Sequence, residues 1–392
     1  MASVSSMEPM LPEEQRRDLE DLATDLVAKS NALAGRLPTA MHAGVGNLVR
    51  SMNCYYSNLI EGHNTLPVDI DRALAGDFSQ DKKKRDLQLE SRAHVEVQQM
   101  IDRGEAPAPP VSLDFILWVH KEFCERVPAD MLIVENSDTG EKLPAVPGEL
   151  RTRQVKVGSH IPPDPPELPA FLKRFTEAYN AQHLSKLRKV IGVAASHHRL
   201  LWIHPFLDGN GRVTRLFSHA WLRELDVGSE LWSVSRGLAR NVGEYKSGLA
   251  AADAPRRGDL DGRGNLTEAG LEEFCRFFLK ICVDQVSFMG ELLEPSELLR
   301  RMEIWTEEEV PAKRLARGSW PLLREAVMAG EFARGRAPEL TGYEERQART
   351  VLSALIDAGY LVSETSRSPV RLGFPMSVVD RWFPRLYVAS PS

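Results

Sequence analysis

The segment SKLRKVIGVAASHHRLLWIHPFLDGNGRVTRLFSHAWLREL, residues 185–225, constrains the fold of this chain most. Its apolar spacing predicts a helix over 186–203 that is apolar around most of its circumference, so other elements must surround it. Pro205 cannot continue the helical hydrogen bonding, which leaves His204 at the helix's C-terminal edge. Helical spacing resumes over 210–225, and Phe206 anchors the connecting turn in the core.

That turn crowds His204, Asp208, Gly209, Asn210, Gly211, Arg212 and Arg215 into one place. The second helix opens with free N–H groups and the positive end of its dipole. Glycines on both sides of Asn210 let the backbone turn its amides toward an anion, which makes an anion nest. Arg212 and Arg215 share the first turn, so both guanidinium groups can converge on the same ligand. Two arginines and a nest imply more than one phosphate. Asp208 is placed for Mg²⁺, which usually takes one or two carboxylates and completes its shell with phosphate oxygens and water. His204 can take a proton from an attacking hydroxyl.

With 392 residues, 43% hydrophobic and 27% charged, the chain reads as a soluble globular protein of two or three domains. A net charge of -6 gives no reason to expect nucleic acid as the main partner. Cys54, Cys124, Cys275 and Cys282 fit no zinc or redox spacing and read as reduced core residues, which suits a cytoplasmic location. The start MASVSSMEPMLPEEQRRDLEDL has no basic stretch followed by an apolar run, and no window approaches the roughly 18 apolar residues that span a membrane. Neither secretion nor membrane insertion is expected.

Helical spacing also covers 12–35, 39–60, 84–103, 113–126, 167–182 and 267–293, so the fold is expected to be mainly α. The exception is ENSDTGEKLPAVPGELRTRQVKVGSHIPP, where Gly and Pro break up extended runs and RQVKVG alternates as a strand does, predicting a β-hairpin. Beyond about residue 295, two helices (WPLLREAVMAG and YEERQARTVLSALIDAGYL) precede two short strands around a polar turn. This is a winged-helix pattern, with a boundary near 295–315. The expected organisation is an N-terminal helical region over 1–110, a core over 111–295 and a winged-helix-like unit over 315–392.

The run HPFLDGNGRVTR resembles the signature of the Fic family: histidine, any residue, Phe, any residue, an acidic residue, Gly-Asn-Gly-Arg, two residues and Arg. The resemblance extends over roughly residues 40–290, and PGELRTRQVKVGSHIPP is similar to the family's flap, which docks the target polypeptide as an added strand. It implies a helical bundle with a β-hairpin flap and an enzyme that transfers AMP from ATP to a protein hydroxyl. By that resemblance His204 is the general base, Asp208 holds Mg²⁺, and Asn210 with the amides around Gly209 and Gly211 binds phosphate oxygens. Arg212 steadies the polyphosphate and Arg215 takes the γ-phosphate; by position relative to the motif Tyr245 and Asn241 line the base pocket, the other reading being a Tyr on a helix surface. UMP or GMP transfer stays open.

A second run, YYSNLIEGHN, resembles the family's inhibitory motif through Ser57, Glu61 and Gly62. Lying ahead of the catalytic motif, it implies self-inhibition: Glu61 paired with Arg215 takes away the partner of the γ-phosphate. The expected recognition helix of the C-terminal unit carries Glu344, Glu345 and Asp357 against Arg346 and Arg349, which is not a basic DNA-binding face. Protein contact or homodimerisation is the other reading of this unit. Two functions from different classes remain at this point: a self-inhibited AMP transferase, and a DNA-binding regulator whose Fic-like core senses nucleotide. The intact His204 favours the enzyme, because a sensor has no use for a base.

Overall fold

The computed structural model describes residues 3–13, 17–135, 140–228 and 230–387. The chain begins with α1 (Arg17–Arg36), α2 (Thr39–Ile60), α3 (Pro67–Leu74), α4 (Lys82–Asp102) and α5 (Leu113–Cys124). An antiparallel pair follows, β1 (Ile133–Glu135) and β2 (Lys142–Pro144), then α6 (Leu168–Tyr179), α7 (Lys186–Ile203) and α8 (Asn210–Glu224). Next come α9 (Val234–Arg240), α10 (Val242–Ala252) and α11 (Glu268–Leu292). The C-terminal part holds α12 (Pro295–Glu309), α13 (Ser319–Met328), β3 (Glu331–Phe332), α14 (Ala337–Thr341), α15 (Glu345–Asp357), β4 (Leu361–Val362), β5 (Val370–Leu372) and α16 (Met376–Trp382).

The architecture is a helical bundle, and α7 runs through its middle. It packs against α1, α6, α8 and α11, and it is buried without interruption from Val190 to Leu200. Ser185 caps its start by accepting the N–H of Arg188, which frees one orphan donor of its first turn from needing water. Gly192 lets α8 come close: a Cβ there would sit 3.1 Å from the Trp221 ring. The polar members of so buried a helix need partners, and distant backbone supplies them. Arg199 donates through Nε and Nη2 to the Pro9 carbonyl at 3.0 and 2.7 Å.

The hairpin lies upstream of where the alternation in RQVKVG places it. β1 and β2 pair Ile133 with Pro144, while residues 153–158 form no strand and make only the isolated bridge Val157–His160. Side chains satisfy the backbone here. Arg151 donates to the carbonyls of Arg153, Pro163 and His204, and Gln154 donates to that of Pro162. A loop tied in this way needs no partner strand, and Pro162 and Pro163 could not extend one. Residues 136–139, between the strands, lie outside the described residues.

Several helices escape the sequence reading. α3, α9, α10 and α16 are short, and α12 occupies the stretch where a boundary is expected. In the C-terminal part the strands form one antiparallel sheet of order β3-β5-β4. This unit leans along α2. Gly44 faces the Phe374 ring, Gly330 faces Pro38 and Ala40, and Tyr56 Oη donates to the Leu386 carbonyl at 2.8 Å.

Candidate active site

α7 ends in a strained joint. His204 is its C-cap, with φ 50° and ψ 63° in the left-handed region, an unfavourable conformation for a non-glycine residue and more so ahead of a proline. Arg151 holds the joint in place: its Nε donates to the His204 carbonyl at 2.8 Å and its backbone N–H to the Pro205 carbonyl at 2.9 Å. His204 Nδ1 is buried, which leaves Nε2 to meet a substrate. Burial pushes the imidazole's pKa down to about 4, partly countered by the Leu201 carbonyl, so the ring is neutral around pH 7.

The turn that follows is clamped by its own asparagine. Asn210 Oδ1 accepts from Phe206 N–H at 2.9 Å and its Nδ2 donates to the Phe206 carbonyl at 2.8 Å. Both ends of its carboxamide are occupied, and the backbone N–H groups of Asn210, Gly211 and Arg212 are orphan donors of the first turn. The Gly209 N–H is likewise engaged, donating to Asp208 Oδ1 at 2.7 Å. Gly209 itself, at φ 80°, supplies the left-handed step that starts α8.

His120, on α5, is a site residue the sequence reading missed. Its ring stacks on Phe206 with centroids 3.8 Å apart and planes within 5°. Its Nδ1 accepts from Gly148 N–H at 2.9 Å, so it ties the exit of the hairpin to the motif. Nothing in the local sequence marks it, because its neighbours arrive from distant segments. Burial pushes its pKa down to about 4.

Glu61 and Arg215 meet. α2 delivers Ser57 and Glu61 to α8 from more than a hundred residues away: Arg215 Nε donates to Ser57 Oγ at 2.8 Å and Nη2 to Glu61 Oε1. Glu61 caps α2, and Gly62 follows at φ 83°. A Cβ on Gly211 would collide with Glu61 Oε1, so the carboxylate sits against the nest itself, on the open end of the α8 dipole. Burial works to raise the Glu61 carboxyl, but Arg215 and then Arg212 outweigh it and hold it below its ordinary range.

Tyr245 is buried, not on the helix surface, and its hydroxyl lies 2.7 Å from His197 Nε2. The direction of the bonds follows from the far end. Ser218 donates to the Thr214 carbonyl, so it accepts from His197 Nδ1 at 2.8 Å, and His197 Nε2 accepts from Tyr245. Burial raises the Tyr245 pKa, partly countered by the nearby Arg215 guanidinium. Asn241 spends its side chain on the Gly237 carbonyl at 2.9 Å.

Among the described residues no cluster of three or more His, Cys, Asp or Glu able to hold a metal occurs, at Asp208 or elsewhere. One carboxylate fits Mg²⁺ held mainly by phosphate oxygens and water, and does not fit an all-protein cage.

Fold and site together define a helical-bundle protein whose two central helices meet at an anion-accepting turn beside a histidine. Residues 110–222 match the Fic/DOC family. It is 30% identical to the protein adenylyltransferase Fic of Drosophila melanogaster over 190 residues, 47% of this chain and 36% of that protein. With the protein adenylyltransferase Fic of Drosophila erecta it shares 34% identity over 134 residues, 34% of this chain and 27% of the relative. The matches thus span about a third or less of those proteins' length. A Fic family protein from Desulfovibrio desulfuricans shares the fold, with a TM-score of 0.52 at 16% identity, covering 90% of this chain and 96% of that one. A Fic domain-containing signaling protein from Bacteroides thetaiotaomicron superposes with a TM-score of 0.50 at 19% identity, covering 69% and 97%.

Proposed function

We propose that the protein is an adenylyltransferase that moves AMP from ATP to a hydroxyl side chain of a target protein and is inhibited by its own Glu61. The observation that carries this reading is the meeting of Glu61 with Arg215 at the nest beside His204. A carboxylate on a helix N-terminus and an arginine stands where a phosphate would.

In the reaction, the first-turn amides of α8 and Arg212 hold the polyphosphate and Arg215 takes the γ-phosphate once Glu61 withdraws. His204 Nε2 accepts the proton of the target hydroxyl, whose oxygen attacks the α-phosphorus as the bond to pyrophosphate breaks. Asp208 would hold Mg²⁺, whose charge offsets that of the phosphates. The exposed strands β1 and β2 offer edges on which a target segment could lie. The four buried cysteines suit a reducing compartment, and we place the protein in the cytoplasm. α15 gives no support to DNA binding, since Arg349 is paired with Glu345.

The test is transfer of label from α-labelled ATP to protein by the Glu61→Gly variant, with Glu61→Gly/His204→Ala as control. Label that appears in the first and is lost in the second supports the reading. If neither variant labels itself or any lysate protein, the transferase reading is wrong.

A further inference from the structure

Arg212 has a second carboxylate partner that neither motif contains. Glu90, in the middle of α4, is 2% exposed, and its Oε1 pairs with Arg212 Nη2. Its Oε2 accepts from His63 Nδ1 at 2.7 Å. Arg212 Nη2 lies 3.1 Å from that same His63 nitrogen; both are donors aimed at one carboxylate, so they share Glu90 and do not bond each other. The hydrogen bond to Glu90 raises the His63 pKa. Arg212 also lies over the Phe123 ring, 5.5 Å from its centroid.

Two carboxylates therefore sit on the two motif arginines, and their settings differ. Glu61 closes a helix, is followed by a left-handed glycine, and keeps 31% of its side chain exposed. It can leave by a local change of backbone or rotamer. Glu90 is in a helix interior, and the neighbouring Ser91 is tied by Asn58 Nδ2 at 3.0 Å. It cannot leave without moving α4. Meanwhile Arg212 Nε is buried and has no protein acceptor, so this donor is left for a water, an ion or a ligand to satisfy.

We propose that Glu90 is the fixed counter-ion that positions Arg212 for the nucleotide's phosphates: it holds one edge of the guanidinium so that the remaining N–H groups stay directed at the ligand. Glu90 is thus a positioning residue that favours nucleotide binding, the opposite of Glu61, although both are acids on motif arginines. The inference rests on the adenylyltransferase reading for its substrate.

The test measures ATP binding apart from turnover. Calorimetric titration of Mg²⁺-ATP into Glu61→Gly/His204→Ala protein, with and without Glu90→Gln, should show binding weakened roughly tenfold or more, the usual effect of losing a charge-assisted contact. In the Glu61→Gly background, Glu90→Gln should raise the KM for ATP by a similar factor and leave kcat within about threefold, a split that a general loss of structure would not produce. Arg212→Lys combined with Glu90→Gln should cost no more than the worse single change. If Glu90→Gln does not fold, Glu90→Asp, which keeps the charge but shortens the reach, should show a smaller loss of the same kind. ATP binding that is unchanged or tighter in Glu90→Gln or Glu90→Asp overturns the proposal, as does full additivity with Arg212→Lys. Weakened binding in a protein that transfers no AMP leaves the positioning role standing and removes only the transferase reading.

Discussion

His204 holds a left-handed backbone conformation directly before a proline, a strain that the bonds from Arg151 to the His204 and Pro205 carbonyls must offset. The same burial that fixes the ring pushes its pKa down to about 4. A neutral base over the whole physiological range follows, and the acid limb of the transfer rate of Glu61→Gly protein should fall near pH 4. A limb near 6.5 would mean that His204 titrates as an exposed imidazole. His204→Ala should lower transfer by roughly 10²–10⁴ while leaving ATP binding largely intact. Asn210 works differently, because its side chain closes the turn on itself. Asn210→Ala leaves two buried main-chain groups of Phe206 without partners and should cost about 1–3 kcal/mol in denaturant unfolding. A loss of transfer with no loss of stability would return the carboxamide to the ligand.

Among the elements, α2 carries the most information about regulation. Its last turn brings Ser57 and Glu61 to Arg215, and its outer side supports the C-terminal unit through Gly44, Tyr55 and Tyr56. Glu61→Gly should raise auto-labelling, and adding Arg215→Ala should abolish the gain, because Arg215 is then missing as a phosphate ligand. The two changes should therefore fail to add. Equal labelling by wild type and Glu61→Gly at saturating ATP would reduce Glu61 to the end of a helix. Tyr56→Phe removes the bond to Leu386 and should cost about 1 kcal/mol of stability, read by chemical unfolding. No change there would mean that the C-terminal unit bears only weakly on α2.

Across the whole molecule, burial lowers the pKa of five histidines: His94, His120, His197, His198 and His204. Burial pushes His94 down to about 3, His120 and His204 to about 4, and His197 well below its ordinary value. A lowered folded pKa contributes stability that is complete above about 6.5 and is lost as pH falls toward the folded value. His63 has the opposite sign, since its pKa is raised and its contribution fades as pH rises through the folded value. Five lowered histidines, His198 included, stand against one raised, so the melting temperature should drop steadily from about pH 6.5 to pH 4. His94 isolates the effect, because both of its ring nitrogens are buried without partners. His94→Leu should make the acid decline shallower, and parallel declines in the two proteins would count against this account.

How much of this is legible in the chain varies with the range of the interactions. The α7–turn–α8 unit is readable because everything that defines it is local: an apolar circumference, a proline stop, a glycine start and side chains at helical spacing. The short helices α3, α9 and α10 are not readable, since tertiary packing and not periodicity holds them. The strand expected at 153–158 fails because an alternating pattern was matched by a loop tied by Arg151 and Gln154. By itself the sequence determined the mainly helical fold, the cluster from His204 to Arg215 and the pairing proposed for Glu61. Only the tertiary structure decided that Asn210 closes the turn, that His120 stacks beneath it, that Tyr245 is buried and bonded to His197, and that Glu90 pairs with Arg212. Each of those contacts depends on side chains brought together by helix packing or on how a carboxamide's few hydrogen bonds are shared out, and residue spacing along a chain encodes neither.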